Sequence, residues 1–200
     1  MHKNTITICS WLVYLLPIAL LTGPFLPDFF ICLIGVFTTF LIIKNKEYKY
    51  INNYYFIFFL LFCFYLIIRS LFSKFAIVSL ESSLFYFRFG LFSIGVWYLI
   101  DQNNRLIKTF SIFLLVTFTF AIIDGYYQFF NEDSIFGFSY PGTRLSLSLN
   151  DKAILGGYLA RLFPLLLATL IYSFDLKKSY VLAILSILIL VDVLIFISGE

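Results

Sequence analysis

The sequence predicts an all-α fold, a polytopic bundle of about seven transmembrane spans, and three observations lead there. Apolar residues make up 62% of the chain and charged ones 12%, with a mean hydropathy of +0.98, a balance that soluble domains do not keep. The apolar residues fall in runs of about 20, the number that a helix rising about 1.5 Å per residue needs to cross hydrocarbon. The polar connections between the runs alternate in their content of Lys and Arg.

The first span covers residues 6–21. Its basic start, Met1-His2-Lys3-Asn4, imitates a signal peptide, but no small-x-small cleavage site follows the apolar run, so it reads as an anchor. Thr22-Gly23-Pro24 makes a tight turn into the second span, 24–43. After the basic loop Lys44-Asn45-Lys46-Glu47-Tyr48-Lys49 comes the third span, 54–72, and then the fourth, 84–100. The mildly amphipathic stretch 73–83 between them is expected in the membrane interface. A polar stretch with Arg105 and Lys108 precedes the fifth span, 109–130; the sixth covers 154–174 and the seventh 180–197. One transmembrane domain, 1–200, accounts for the chain.

Orientation follows from the basic residues of alternate connections. Lys3, Lys44, Lys46, Lys49, Arg105, Lys108, Lys177 and Lys178 fall on one side, against Lys74, Arg144 and Lys152 on the other. Basic residues of short loops stay on the cytoplasmic side, so the N-terminus is expected inside and the connection 131–153 outside. No basic patch interleaved with aromatics exists, which argues against a nucleic-acid partner. Cys9, Cys32 and Cys63 sit in apolar runs without metal-ligand spacing and read as buried free thiols; with His2 as the only histidine, no metal site is expected.

Counting from the outer helix ends places Asp28, Arg69, Arg88, Asp124, Arg161 and Asp192 in the outer halves of their spans. A charge in hydrocarbon costs about 2.5–3.5 kcal/mol on insertion scales, so such residues usually face a bundle interior, a partner or a wet cavity. Asp28 and Arg69 are near enough to helix ends to act as interfacial anchors. Arg161 lies about 10 Å deep, with Asp124 and Asp192 at similar depth. A buried cluster of these three is geometrically possible, either lining an outward cavity or simply fixing helix packing.

The connection 131–153 exceeds the roughly 12–15 residues usual for structureless loops, which favours a functional segment. Within it Pro141-Gly142 marks a turn, and Arg144-Leu145-Ser146-Leu147-Ser148-Leu149 alternates with period two. Extended on the membrane surface, it would turn Arg144, Ser146 and Ser148 toward the cavity. Asn150 or Asp151 suits an N-cap of the sixth helix, whose free N–H groups could receive an anion. Gly156-Gly157 allows close backbone approach, and Pro164 is expected to kink the turn carrying Arg161. Free donors and two guanidiniums suit a diphosphate; a capped, kinked helix with packing glycines is the plainer alternative.

The ordered set Asp124-Gly125-Tyr126-Tyr127-Gln128-Phe129-Phe130, Phe136-Gly137, Arg144-Leu145-Ser146, Asn150-Asp151, Leu155-Gly156-Gly157-Tyr158-Leu159-Ala160-Arg161, Pro164 and Ile197-Ser198-Gly199-Glu200 resembles the O-antigen ligase and polymerase family of bacterial envelope enzymes. The matching part runs from about Ala121 to Glu200. The resemblance implies a membrane glycosyltransferase of the bacterial inner membrane acting at the periplasmic face. It implies a polyprenyl-diphosphate-linked glycan as donor, a lipid or glycan acceptor, and no metal or nucleotide cofactor. Arg144 would contact the donor phosphate and Arg161 would be a cavity arginine, with Arg88 as a further cation and Asp124, Asp192 and Glu200 as supporting charges. Two departures stand out: no Gly follows soon after Arg144-Leu145-Ser146, and Lys152 stands where an acid is usual. Family members also continue past Ser-Gly-Glu, so the chain resembles the N-terminal half of such an enzyme, and no catalytic base is assigned. Two other classes fit the composition: a transporter or flippase of a lipid-linked anion, which the charge-free inner halves of the spans disfavour, and a non-catalytic membrane subunit.

Overall fold

The computed structural model describes residues 2–131, 133–137, 145–146, 155–174 and 178–198. The fold is all-α, with no strand among these residues. Its helices are α1 (His2–Leu21), α2 (Phe25–Lys44), α3 (Tyr54–Leu71), α4 (Ala76–Leu84), α5 (Phe87–Gln102), α6 (Leu106–Asn131), α7 (Leu155–Ser173) and α8 (Lys178–Ile197), with a 3-10 turn at Tyr48–Tyr50. Six helical segments are long and apolar enough to cross a membrane, with α4 and α5 counted together, the pattern of a multi-pass membrane protein; the apolar segment found in α8, Ser186–Ile197, is shorter. The chain divides into two compact units, Met1–Val13 with Asp28–Asn104, and Tyr14–Pro27 with Arg105–Glu200.

The turn between α1 and α2 has the expected residues for a physical reason. Gly23 holds φ at +112°, where a side chain would be strained, and Thr22 Oγ1 donates to the Ala19 carbonyl at the end of α1. Pro27 sits in the first turn of α2, where its missing N–H has no intrahelical partner to lose.

In the first unit, α2 ends in a tight loop closed by Asn45 N–H to Leu41 O and Glu47 N–H to Ile42 O, with Lys46 in the left-handed region. Asn53 then caps α3 by accepting from Tyr55 N at 3.0 Å. A core of Leu41, Ile42, Tyr50, Phe56, Ile94 and Tyr98 joins α2, the 3-10 turn, α3 and α5. Small residues set the closest approach of α2 and α5: a Cβ on Gly35 would lie 3.1 Å from Leu91 Cβ. The fourth span differs from expectation. Residues 73–83 are largely helical as part of α4, and Leu84 ends that helix rather than starting the span, because the chain turns at Phe85–Tyr86 before α5 begins. An apolar run carries no mark of such a break.

In the second unit α6, α7 and α8 pack around Leu114, Phe118, Ala121, Leu155, Leu159, Leu166, Val191 and Leu194, and Leu21 joins them from the end of α1. Gly125 marks the tight point: a Cβ there would lie 2.7 Å from Leu155 Cδ2 and 2.8 Å from Leu194 Cδ2. Pro164 lies within α7, whose helix runs on to Ser173. Leu145, from the connection between α6 and α7, is fully buried in the same core.

Candidate functional site

The C-terminal end of α6 carries two polar side chains one helical turn apart, Asp124 and Gln128, and both are fully buried. Residues four apart share a helix face, so the Gln128 amide reaches back and donates to Asp124 Oδ2 at 2.7 Å. The other carboxylate oxygen, Oδ1, accepts from the backbone N–H of Ile135 at 2.8 Å. A carboxylate can only accept, and here one oxygen holds the amide while the other holds the chain just after α6.

Gln128 extends the network to the far part of the connection. Its Oε1 accepts from Ser146 N at 3.0 Å and from Ser146 Oγ at 3.1 Å, while Nε2 donates to Ser146 O at 3.2 Å. One side-chain amide thus satisfies the backbone of Ser146 as a neighbouring strand would. Leu145 O accepts in turn from Leu155 N, the first residue of α7, at 3.3 Å. Burying Leu145 away from water adds about 1.5–3 kcal/mol to the anchoring.

This geometry corrects two expectations. The Leu145-Ser146 segment does not lie flat on the membrane surface with its polar edge facing a cavity: both residues are fully buried, Leu145 among leucines and Ser146 against Gln128. Nor do Asp124, Arg161 and Asp192 form a buried cluster. Asp124 is buried and satisfied by an amide and a backbone N–H, whereas Arg161 and Asp192 lie on exposed faces of α7 and α8 and enter no ion pair with another described residue. Equal depth placed them together in the sequence reading, but depth leaves the direction around each helix axis open. With both oxygens engaged, the Asp124 carboxylate holds the Gln128 amide and the Ile135 backbone in place.

Arg88 belongs to the first unit, where its Nη2 lies 2.9 Å from Asp28 Oδ2 and its guanidinium lies 5.0 Å from the Phe89 ring centre. Asp28 is therefore an ion-pair partner rather than a lone interfacial anchor. Arg144, Glu200, Pro141-Gly142, Asn150, Asp151 and Lys152 lie outside the described residues. Among the free N–H groups expected at the start of α7, that of Leu155 is taken by the Leu145 carbonyl.

No family model, curated protein or solved structure matches the chain. The site must speak through its own chemistry.

Four contacts escaped the sequence reading. Tyr158 on α7 donates its hydroxyl to the carbonyl of Pro17 inside α1 at 3.0 Å, tying the helix that follows the connection to α1. In the first unit Asp101 accepts from Lys49 Nζ at 3.1 Å and from Tyr50 OH at 2.8 Å, and Asn45 donates to Tyr98 OH at 3.2 Å. Only the spacing of Asp124 and Gln128 offered a local signal for the network found.

Proposed function

We propose that the chain acts in the transfer or polymerisation of polyprenyl-diphosphate-linked glycan at the periplasmic face of a bacterial inner membrane, in the manner of an O-antigen ligase or polymerase. The observation that carries this reading is the anchored connection between α6 and α7: a segment that merely linked two helices would not have Ser146 held on its N–H, carbonyl and hydroxyl by a buried glutamine. In this reading Arg144, next in sequence to the buried Leu145, grips the donor diphosphate, and Arg161 on the open face of α7 supplies a second guanidinium.

The chemistry needs little else from these residues. An acceptor hydroxyl attacks the anomeric carbon, a new C–O bond forms with inversion, the sugar–phosphate bond breaks, and the electron pair leaves with the polyprenyl diphosphate. Arginines favour this departure because paired N–H donors match phosphate oxygens and take up the charge that develops there. The hydroxyl proton passes to a general base supplied from outside these residues.

The test is binding of polyprenyl diphosphate to the purified chain in lipid nanodiscs, with the polyprenyl alcohol as control. Arg144→Ala and Arg161→Ala are each expected to weaken diphosphate binding about tenfold, the loss of one charge-assisted contact, without changing alcohol binding. Equal binding of both lipids by the parent chain would remove the assignment.

A second reading has its own support. Arg161 and Asp192 sit on open faces of the apolar helices α7 and α8, and such charges call for a partner or a wet cavity. For a non-catalytic membrane subunit, Asp192→Asn would release a stoichiometric partner during purification while diphosphate binding stayed absent throughout.

A further inference from the structure

We propose that the first unit holds one anionic membrane lipid, its acyl chain lying in a groove between α3 and α5 and its headgroup beside the loop Lys44–Lys49. The inference is independent of the activity proposed above, since it uses no residue of the second unit.

The groove has a volume of about 480 Å³ and is walled by Phe56 and Phe59 of α3 and by Gly90, Ser93 and Trp97 of α5. At one end the helices close on each other: a Cβ on Gly90 would lie 2.5 Å from the Phe59 ring and 3.2 Å from the Phe56 ring, so only glycine lets them meet. At the other end lie Tyr50, Asn53 and Trp97. Tyr and Trp rings settle at the level of lipid headgroups, so this end is the mouth and the closed end points into hydrocarbon. A slot that starts at the headgroup level and narrows along two apolar helices toward Gly90 has the form of a single acyl chain's bed.

The charge at the mouth selects the headgroup. Lys49 lies 4.6 Å from the centre of the Tyr50 ring, and that ring packs edge-on against Trp97 at 5.0 Å. Asn45 pins the preceding loop to Tyr98, the neighbour of Trp97 in the chain. Lys44, Lys46 and Lys49 are all exposed there. With Lys49 paired to Asp101, the charges of Lys44, Lys46 and Glu47 leave a net positive charge of one at the mouth. An anionic headgroup neutralises it, whereas a zwitterionic one does not.

Trp97 reports on the groove directly. The full chain carrying Trp11→Phe, with Trp97 as the sole tryptophan, is reconstituted into phosphatidylcholine vesicles. Phosphatidylglycerol or phosphatidylcholine with brominated acyl chains is then added in steps, and quenching is followed. Half-maximal quenching is expected at a mole fraction about fivefold lower for the anionic lipid, the effect of one net charge at the membrane surface. The surface variant Lys46→Gln, which brings that charge to zero, is expected to abolish the difference. Ser93→Leu, which fills the groove, is expected to abolish it too while leaving the lysines in place. Equal quenching by the two lipids overturns the proposal. So does a preference that survives both variants, because the anionic lipid would then be gathered at the surface and not held in the groove.

Discussion

Replacing Gln128 by Leu, a side chain of similar size without polar atoms, tests the anchored connection most sharply. The change strands Asp124 Oδ2 and the N–H, carbonyl and hydroxyl of Ser146, all partners of the Gln128 amide. Each buried group left without a partner costs about 1–3 kcal/mol, so the lower bound alone is about 4 kcal/mol. That is a large share of the 5–15 kcal/mol that typically separates folded from unfolded chains. For a chain of this length about 1 kcal/mol moves the midpoint by about 2–4 °C, so thermal unfolding in detergent micelles is expected about 8–16 °C lower. Phe130→Leu on the same helix, at a residue 77% exposed, serves as control and is expected to stay within about 0.5 kcal/mol of the parent. A Gln128→Leu protein that melts with the parent would refute the reasoning, because the buried bonds would then contribute nothing.

Further outcomes follow from the same geometry. Gly125→Leu is expected to destabilise by about 3 kcal/mol in the same melting assay, since its branches meet Leu155 and Leu194; Gly125→Ala costs less because those leucine tips can swing away. Tyr158→Phe removes the hydroxyl bond to Pro17 O and is expected to cost about 1 kcal/mol, read as a midpoint lower by a few degrees. At the 3-10 turn, the Tyr50 hydroxyl and then Asp101 hold the Lys49 ammonium above its ordinary pKa, and burial pushes the Tyr50 phenol up. Both folded values are raised, so the contribution to stability is intact below about pH 10 and is lost as pH climbs through them. Trp97 emission, next to Tyr50, is expected to stay constant to about pH 9 and change above it, at lower pH in Asp101→Asn.

The fold was legible because membrane insertion writes itself in composition: a run of about 20 apolar residues leaves few alternatives to a helix. The turn at Thr22-Gly23-Pro24 was legible too, since a left-handed residue calls for glycine. The break between α4 and α5 was hidden because Leu84, Phe85 and Tyr86 are as apolar as the helices on either side. At the site, charge alone misled: Asp124 was paired by depth with Arg161 and Asp192, whereas its partner stood one turn away as an uncharged amide. The period-two pattern around Leu145 and Ser146 announced an extended segment, but its insertion into a helical core depends on Gln128, 18 positions earlier. The pairing of Arg88 with Asp28 spans 60 positions and left no local trace.

The central claim, glycan transfer at the outer face of the membrane, is tested most directly in cells. The gene is deleted in its own host and restored as wild type, Arg144→Ala, Arg161→Ala or Gln128→Leu, with membrane insertion checked by blotting, and the envelope polysaccharide is resolved on gels. The account predicts that the glycan ladder disappears on deletion, returns with the wild type, stays absent or sharply reduced with the two arginine variants at normal membrane levels, and is lost with Gln128→Leu together with a lower membrane level. An unchanged ladder in the deletion strain, or full ladders from both arginine variants, would contradict it.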